Sequence, residues 1–205
     1  DVTLLAVSKT FGPQAVRAAA DAGQLDFGEN YLQEGVDKIA ALADLRGRLR
    51  WHCIGPIQSN KTRLVAEHFD WAHSVERLKI AERLSAQRPA ARPPLNVCLQ
   101  VNIDGGPTKS GVAPAEALAL ARAVAALPRL RLRGLMTIPE PAPDFEAARA
   151  VHASARALFD QMNAAGLGLD TLSMGMSDDL EAAIAAGSTL VRVGSAIFGA
   201  RPPKT

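Results

Sequence analysis

Residues 4–10 read Leu4-Leu5-Ala6-Val7-Ser8-Lys9-Thr10, an apolar run typical of a buried strand that ends in one lysine. A lysine at the carboxyl end of a buried strand is poorly solvated, and burial lowers its pKa so that part of it is neutral amine. A neutral amine at the mouth of an α/β fold suits Schiff-base chemistry with a carbonyl compound. The alternative is an ordinary surface lysine just past the strand, with its ammonium group in water.

The pattern of this stretch, a strand followed by an amphipathic helix, repeats about eight times along the chain. Continuous apolar strands separated by helices predict a parallel sheet covered by helices. About eight such units in roughly 200 residues fit an α/β fold of the (β/α)₈ TIM-barrel type, in which functional groups lie at the carboxyl ends of the strands. An open doubly wound sheet is the alternative, although no Gly-x-Gly-x-x-Gly motif follows the first strand.

The composition argues against several classes of function. The 205 residues suit one domain, 1–205, with a sizeable core. A net charge of +2 and 4% aromatic residues give no basis for binding nucleic acid or an anionic membrane surface. With no signal peptide and no run long enough to cross a bilayer, we expect a cytoplasmic protein. Cys53 and Cys98 lie in apolar runs outside any metal-type spacing, so we expect two buried thiols and no metal site.

Two stretches near the carboxyl terminus suggest an anion site. The spacing predicts a helix over residues 178–186, with Ser177 as its N-cap or as a phosphate ligand at the helix N-terminus. Two aspartates follow Ser177 and would have to point away from a phosphate. Gly194 and Ser195 follow the last strand, and the last two strand loops of a barrel often bind phosphate. Arg192 lies one alternation before Gly194, facing the barrel mouth or pairing with a carboxylate such as Glu181.

Six motifs occur in order along the chain and together resemble one known family. They are AVSKT at 6–10, FGENYLQE at 27–34, WHCIGPIQSNK at 51–61, LRGLM at 132–136, SMGMSDD at 173–179 and RVGSAIFGAR at 192–201. The chain resembles the pyridoxal phosphate homeostasis family, single-domain barrels related to the N-terminal domain of alanine racemase. The resemblance implies a (β/α)₈ barrel of fold-type III that binds pyridoxal 5′-phosphate (PLP).

The resemblance also implies the site residues. Lys9 matches the lysine that forms the internal aldimine, and Arg192 matches the arginine that faces the pyridine nitrogen of the cofactor. An arginine there leaves the ring nitrogen unprotonated and weakens the cofactor as an electron sink. The remaining matches are phosphate-binding positions at Ser177, Gly194 and Ser195 and cofactor-lining positions at Asn30, Asn102 and Met136. His52 and the loop of residues 58–61 lie in a family motif without an assigned role.

By resemblance, the protein buffers or carries PLP in vitamin B6 homeostasis and is not an enzyme. The expected partners are PLP and PLP-dependent apoenzymes, and we expect a monomer without catalytic residues. Two enzymes remain as alternatives, a PLP-dependent amino-acid racemase of low activity and an aldolase-like Schiff-base former. Alanine racemase takes its second base, a tyrosine, from a separate domain, which we expect this chain to lack. Relatives carry an N-terminal helix before the first strand, which we also expect to be missing.

Overall fold

The apolar runs of the sequence form parallel strands because both faces of each run are buried, one by the barrel interior and one by the surrounding helices. The computed structural model describes residues 1–107 and 110–203. Within these residues the strands are Thr3–Val7 (β1), Asp26–Glu29 (β2), Arg50–Cys53 (β3), Trp71–Val75 (β4), Leu95–Gln100 (β5), Leu130–Met136 (β6), Thr171–Met176 (β7) and Leu190–Val193 (β8).

Helices connect successive strands and cover the outside of the sheet. Short 3₁₀ turns at Ala43–Leu45 and Ser59–Lys61 supplement them. The α-helices of the described chain are Pro13–Asp21 (α1), Leu32–Ala41 (α2), Thr62–His68 (α3), Leu78–Gln87 (α4), Pro114–Ala125 (α5), Phe145–Ala164 (α6), Leu180–Ala185 (α7) and Ser195–Phe198 (α8).

The sheet closes on itself, with every strand paired in parallel to its neighbour in sequence. Strand β1 pairs with β2 on one side and with β8 on the other, where Leu5 lies opposite Arg192. The prediction of a (β/α)₈ barrel is therefore confirmed, and the open doubly wound alternative is wrong. Closure also brings the first and last strands together, so Lys9 follows a strand that pairs with the strand of Arg192.

One helix boundary beside the cavity differs from the one that the spacing predicts. The helix predicted over residues 178–186 begins at Leu180, with Asp179 at its N-cap position. The prediction that Ser177 caps this helix is therefore wrong.

The main hydrophobic core lies between the barrel and its helices, and Phe27, Trp51 and Phe69 are among its largest fully buried side chains. Cys53 and Cys98 are free and buried, as expected, and burial raises the pKa of each thiol to about 12. Neither thiol is therefore a reactive nucleophile near neutral pH. In the part of the chain described here, no helix combines the length and the apolar character needed to cross a membrane.

Candidate functional site

A cavity of about 260 Å³ opens at the carboxyl ends of the strands. This is the end at which barrel proteins place their ligands, because the loops that follow the strands converge there. Most of the lining residues end a strand or lie within two residues after one. They are Val7, Lys9, Phe11, Asn30, Ile54, Ile138, Met176, Ser177, Asp178, Arg192, Gly194, Ser195, Gly199 and Arg201.

Lys9 lies in a sharp turn just beyond β1, with its side chain lining the cavity. Partial burial and the nearby charge of Arg201 lower the pKa of Lys9 from its ordinary value. The next residue, Thr10, has φ +69°, in the left-handed region that side-chain-bearing residues rarely adopt. Its backbone N–H donates to Glu34 Oε1 at 2.6 Å, which holds the turn in this conformation. The lysine amine is thus presented to the cavity by a fixed backbone.

A buried ion cluster lies behind that turn and is centred on Lys38. Lys38 Nζ donates to the backbone oxygen of Ser8 at 2.6 Å and to Glu29 Oε1 and Glu34 Oε1 at 2.7 Å each. Ser8 Oγ also donates to Glu29 Oε1 at 2.7 Å. Burial raises the pKa of Glu29, and the charge of Lys38 opposes that effect. We call these four residues, Ser8, Glu29, Glu34 and Lys38, the Lys38 cluster.

Arg192 lines the cavity from inside the barrel. Its Nη1 donates to Ser173 Oγ at 2.7 Å, and its Nη2 donates to the backbone oxygen of Thr137 at 2.9 Å. Burial lowers its pKa to about 10, so the guanidinium stays charged at neutral pH. The hydrogen-bond partners of Arg192 are therefore Ser173 and Thr137, and the alternative pairing with Glu181 is not what holds it.

The predicted phosphate residues reach the cavity from the loops after β7 and β8. Gly194 stands at the N-cap position of α8 and Ser195 is its first residue, so their backbone amides lie at a helix start, where amides have no partner within the helix. Ser177 lies between β7 and α7. Two aspartates follow Ser177. The Asp179 side chain points to His152, with Oδ2 2.8 Å from His152 Nε2, whereas Asp178 lines the cavity.

Asn30 contributes a polar atom with no partner among the described residues. Its Oδ1 is buried and makes no hydrogen bond there, and its residue lines the cavity. Gly55 packs directly on the backbone of Asn30, where a Cβ would collide with the Asn30 carbonyl oxygen. A buried acceptor without a partner is costly, so this amide is suited to accept a hydrogen bond from a ligand.

Two of the eight predicted site residues lie outside the cavity. The Asn102 amide donates to the backbone oxygen of Gly106 at 2.9 Å and accepts from the N–H of Gly105 at 3.1 Å, so it stabilises its own loop. Met136 is fully buried and packs with Trp71 and Cys98. The six that the structure brings together are Lys9, Asn30, Ser177, Arg192, Gly194 and Ser195.

Several residues that line the cavity are not among those predicted from the sequence. Ile54 and Ile138 each follow a strand, so the rule that finds Asn30 also finds them. Arg201 lies well beyond the last strand, so that rule does not find it, although Arg201 is the last residue of the motif at 192–201. His52, left without a role, is buried and contacts Asp26 and His73. Gln58 and Lys61 line a separate surface groove beside Tyr31, as part of the loop of residues 58–61.

The structure is a closed barrel in which a lysine after the first strand and an arginine on the last strand line one cavity. These features place it in the class of ligand-binding barrels. The family described as "Alanine racemase, N-terminal domain" matches residues 1–202, and the chain belongs to this family. The resemblance to the pyridoxal phosphate homeostasis proteins is also confirmed, because relatives of that name are similar over nearly the whole chain.

One such relative, from Pseudomonas aeruginosa, is 65% identical over 200 residues, covering 98% of this chain and 85% of its own. Another, from Escherichia coli K12, is 58% identical over 202 residues, covering 98% and 86%. Both are named pyridoxal phosphate homeostasis protein.

Solved structures are also similar to this barrel. PipY of Synechococcus elongatus, solved with PLP bound, is 40% identical with a TM-score of 0.88, covering 97% of this chain and 92% of PipY. Alanine racemase from Corynebacterium glutamicum has a TM-score of 0.75 at 19% identity, covering 98% of this chain and 57% of the racemase. At that identity the racemase supports the fold alone.

Proposed function

We propose that the cavity binds PLP, with Lys9 as the residue of covalent attachment, and that the protein buffers this cofactor and delivers it to PLP-dependent apoenzymes. The observation that carries the proposal is the placement of Lys9 and Arg192 at one cavity, Lys9 from the turn after β1 and Arg192 from the neighbouring strand β8. The name of the relatives and the PLP bound to PipY support the same ligand.

The residues present fit this cofactor in charge and in chemistry. Three cationic side chains, Lys9, Arg192 and Arg201, line the cavity against one acidic side chain, Asp178. That excess of positive charge favours an anionic ligand such as a phosphate ester. The unpartnered Asn30 Oδ1 adds an acceptor that a ligand hydroxyl or N–H can satisfy.

Each residue then has a defined task. When bound, PLP supplies an aldehyde that reacts with a neutral amine. Lys9 supplies that amine, and the lowering of its pKa by burial and by Arg201 increases the neutral fraction. Ser177, Gly194 and Ser195 bind the phosphate with hydroxyl and amide donors. Arg192 donates to the ring nitrogen, since a guanidinium can only donate.

The same arrangement favours a carrier over an efficient racemase. Racemisation needs a base on each face of the reacting carbon, and Lys9 supplies only one. Tyr31, the single tyrosine of the sequence, is 55% exposed and lines the neighbouring groove. Arg192 cannot accept a proton from the ring nitrogen, which weakens electron withdrawal. Loss of one general base costs about 10²–10⁴-fold in rate.

The attachment site is tested by reducing the PLP-loaded protein with borohydride and mapping the labelled lysine by mass spectrometry. We expect Lys9→Ala to abolish both the visible absorbance of the attached cofactor and the reductive label. Lys61→Ala is the matched control, since Lys61 lines the neighbouring groove, and it should keep both signals. A label retained on another lysine in Lys9→Ala would refute the assignment.

The carrier role is tested by chiral analysis of alanine and serine incubated with the PLP-loaded protein. We expect only slow turnover, far below the enzyme median of about 10 s⁻¹. Turnover near that median on either amino acid would make the racemase the better description. Transfer of PLP to a purified apoenzyme, followed by recovery of that enzyme's activity, is the complementary positive result.

A further inference from the structure

A row of buried polar side chains runs through the barrel interior, away from the cavity. Arg192 Nη1 lies 2.7 Å from Ser173 Oγ, which lies 3.0 Å from His73 Nδ1. His73 Nε2 lies 2.9 Å from His52 Nδ1, and His52 Nε2 lies 2.9 Å from Asp26 Oδ1. All five residues are buried, and Asp26 is the first residue of β2, at the end of the barrel opposite the cavity. The proposed function uses only Arg192.

Both ends of this row fix the direction of its hydrogen bonds. The Arg192 guanidinium can only donate, so Ser173 Oγ accepts from it and has its own hydrogen to give to His73. At the other end, burial acts to raise the pKa of Asp26, but hydrogen bonds from His52 and Arg50 outweigh burial and hold that pKa below its ordinary range. The ionised Asp26 can only accept, so His52 Nε2 carries a hydrogen.

The two imidazoles complete the row in one arrangement. Burial lowers the pKa of His52 and of His73, so both rings are neutral and each carries one N–H. Because the His52 hydrogen is on Nε2, its Nδ1 accepts from His73 Nε2. His73 Nδ1 is then the acceptor for the Ser173 hydroxyl. Every hydrogen bond thus runs in the same direction, from Arg192 to Asp26.

We propose that Ser173, His73 and His52 are positioning residues for Arg192, forming a one-directional relay that holds its guanidinium so that the remaining N–H groups face the cavity. The proposal rests on the proposed function, in which those groups donate to the ring nitrogen of PLP. Hydrogen bonds in a series polarise one another inside a protein, so a fully satisfied row is stiffer than its separate pairs.

Neighbouring groups restrict movement of the relay. The Trp71 ring stacks on His52, with centroids 5.1 Å apart and an interplanar angle of 14°, which fixes the imidazole plane. The Thr137 backbone oxygen accepts from Arg192 Nη2 at 2.9 Å, so the guanidinium is held at two of its nitrogens. A flipped imidazole or a rotated guanidinium would leave buried groups without partners, which is costly.

The first test uses the protein without added ligand. Nitrogen-15 NMR of the histidine rings at pH 7.5 separates protonated from unprotonated ring nitrogens. We expect the hydrogen on Nε2 of both His52 and His73. A hydrogen on Nδ1 of either ring, or an imidazolium, would overturn the relay, whether or not the protein binds PLP.

The second test compares the affinities of PLP and of its 1-deaza analogue, which lacks the ring nitrogen. Ser173→Ala should weaken PLP binding about tenfold, as for one lost hydrogen bond, and leave the analogue within about threefold. Ser188→Ala is the matched control, because Ser188 is also a buried serine but donates to the backbone oxygen of Met174 at 2.7 Å. It should change neither affinity.

Two substitutions of His73 separate the relay from simple packing. His73→Leu removes the acceptor for Ser173 and should reduce PLP affinity as Ser173→Ala does. His73→Asn offers an oxygen acceptor near the position of Nδ1 and should recover most of that loss. Equal losses in the two variants, or equal affinity of the unaltered protein for both ligands, would overturn the inference while leaving PLP binding in place.

Discussion

The two sides of the cavity are supported by buried polar networks of opposite kinds. Behind Lys9, the Lys38 cluster joins one ammonium group to two carboxylates and a backbone oxygen. Behind Arg192, the relay passes through two imidazoles and a hydroxyl before it reaches Asp26. One side is therefore held by charge pairs within a short range, and the other by a row of single hydrogen bonds across the barrel.

The difference follows from what each side has to hold. Lys9 lies in a loop, so its position depends on the conformation of the backbone around it. The Lys38 cluster binds that backbone directly, at the carbonyl of Ser8 and the N–H of Thr10. Arg192 lies on a strand that the sheet already fixes, so only its side-chain orientation needs support. The groups that contact Arg192 directly are neutral, so they orient its guanidinium without placing a second buried charge beside it.

The largest effect is expected when the cation of the Lys38 cluster is removed. Lys38→Met leaves the buried Glu29 without its ion-pair partner, which typically costs about 3–5 kcal/mol. For a chain of this size that corresponds to a melting temperature lower by roughly 10 °C. Thermal unfolding followed by circular dichroism measures the change directly.

A second substitution tests whether the loss of stability comes from the unpaired carboxylate of Glu29. Lys38→Met with Glu29→Gln removes both charges, and the double variant should be more stable than Lys38→Met alone. Without Lys38, the folded-state pKa of Glu29 lies further above its unfolded value, so its contribution to stability is lost as pH rises through that pKa. The deficit of Lys38→Met should therefore be larger at pH 8 than at pH 5.5. A deficit independent of pH would point to packing instead.

The relay should show a smaller effect and the opposite dependence on pH. Burial lowers the folded-state pKa of His52 and His73 below the unfolded value near 6.5. Below pH 6.5 the unfolded chain binds protons that the folded chain does not. The contribution of the two histidines to stability is therefore full above pH 6.5 and is lost as pH falls towards their folded-state pKa. Each histidine adds a slope of at most ~1.4 kcal/mol per pH unit.

Urea unfolding at pH 7.5, 6.5 and 5.5 measures that slope. His73→Asn removes one titrating imidazole and should reduce the slope by up to ~1.4 kcal/mol per pH unit. Identical slopes for the variant and the unaltered protein would mean that His73 titrates alike in both states. The two sides of the cavity would then not differ as the structure indicates.

The sequence predicts the fold and most of the cavity for one physical reason. Strand and helix periodicities are local, and the carboxyl end of every barrel strand faces the same mouth, so Lys9, Asn30 and Ser177 can be found from strand order alone. The same rule includes Asn102, but that amide is satisfied by its own loop. It also includes Met136, which instead fills an apolar cluster inside the barrel.

The supporting networks could not be predicted in this way. Lys38 lies on a helix and reads as an ordinary charged residue paired with Glu34 four positions earlier. Its burial depends on Glu29, which lies on β2 and which only the packed structure brings to it. His73 and Ser173 are 100 positions apart. Pairings of this kind depend on which side chains share the barrel interior, and periodicity carries no information about that.

The smallest effect concerns the strained residue beside Lys9. Thr10 has φ +69°, which costs a side-chain-bearing residue roughly 1 kcal/mol or more, whereas glycine adopts it freely. Glycine also makes the unfolded chain more flexible, by about 0.4–1 kcal/mol. Thr10→Gly should therefore change the free energy of unfolding by less than ~1 kcal/mol. The variant is more stable than the unaltered protein if the strain relieved in the folded state exceeds the flexibility added to the unfolded chain.

The same variant shows whether the Lys38 cluster or local strain sets the position of Lys9. The side chain of Thr10 is exposed and its N–H still reaches Glu34, so the rate of borohydride fixation at Lys9 should be unchanged. Arg129→Gly is the control for the stability change, since Arg129 has φ +62° in a loop away from the cavity. Slower fixation in Thr10→Gly but not in Arg129→Gly would mean that Thr10 itself positions the lysine. The Lys38 cluster would then hold less of the turn than its hydrogen bonds suggest.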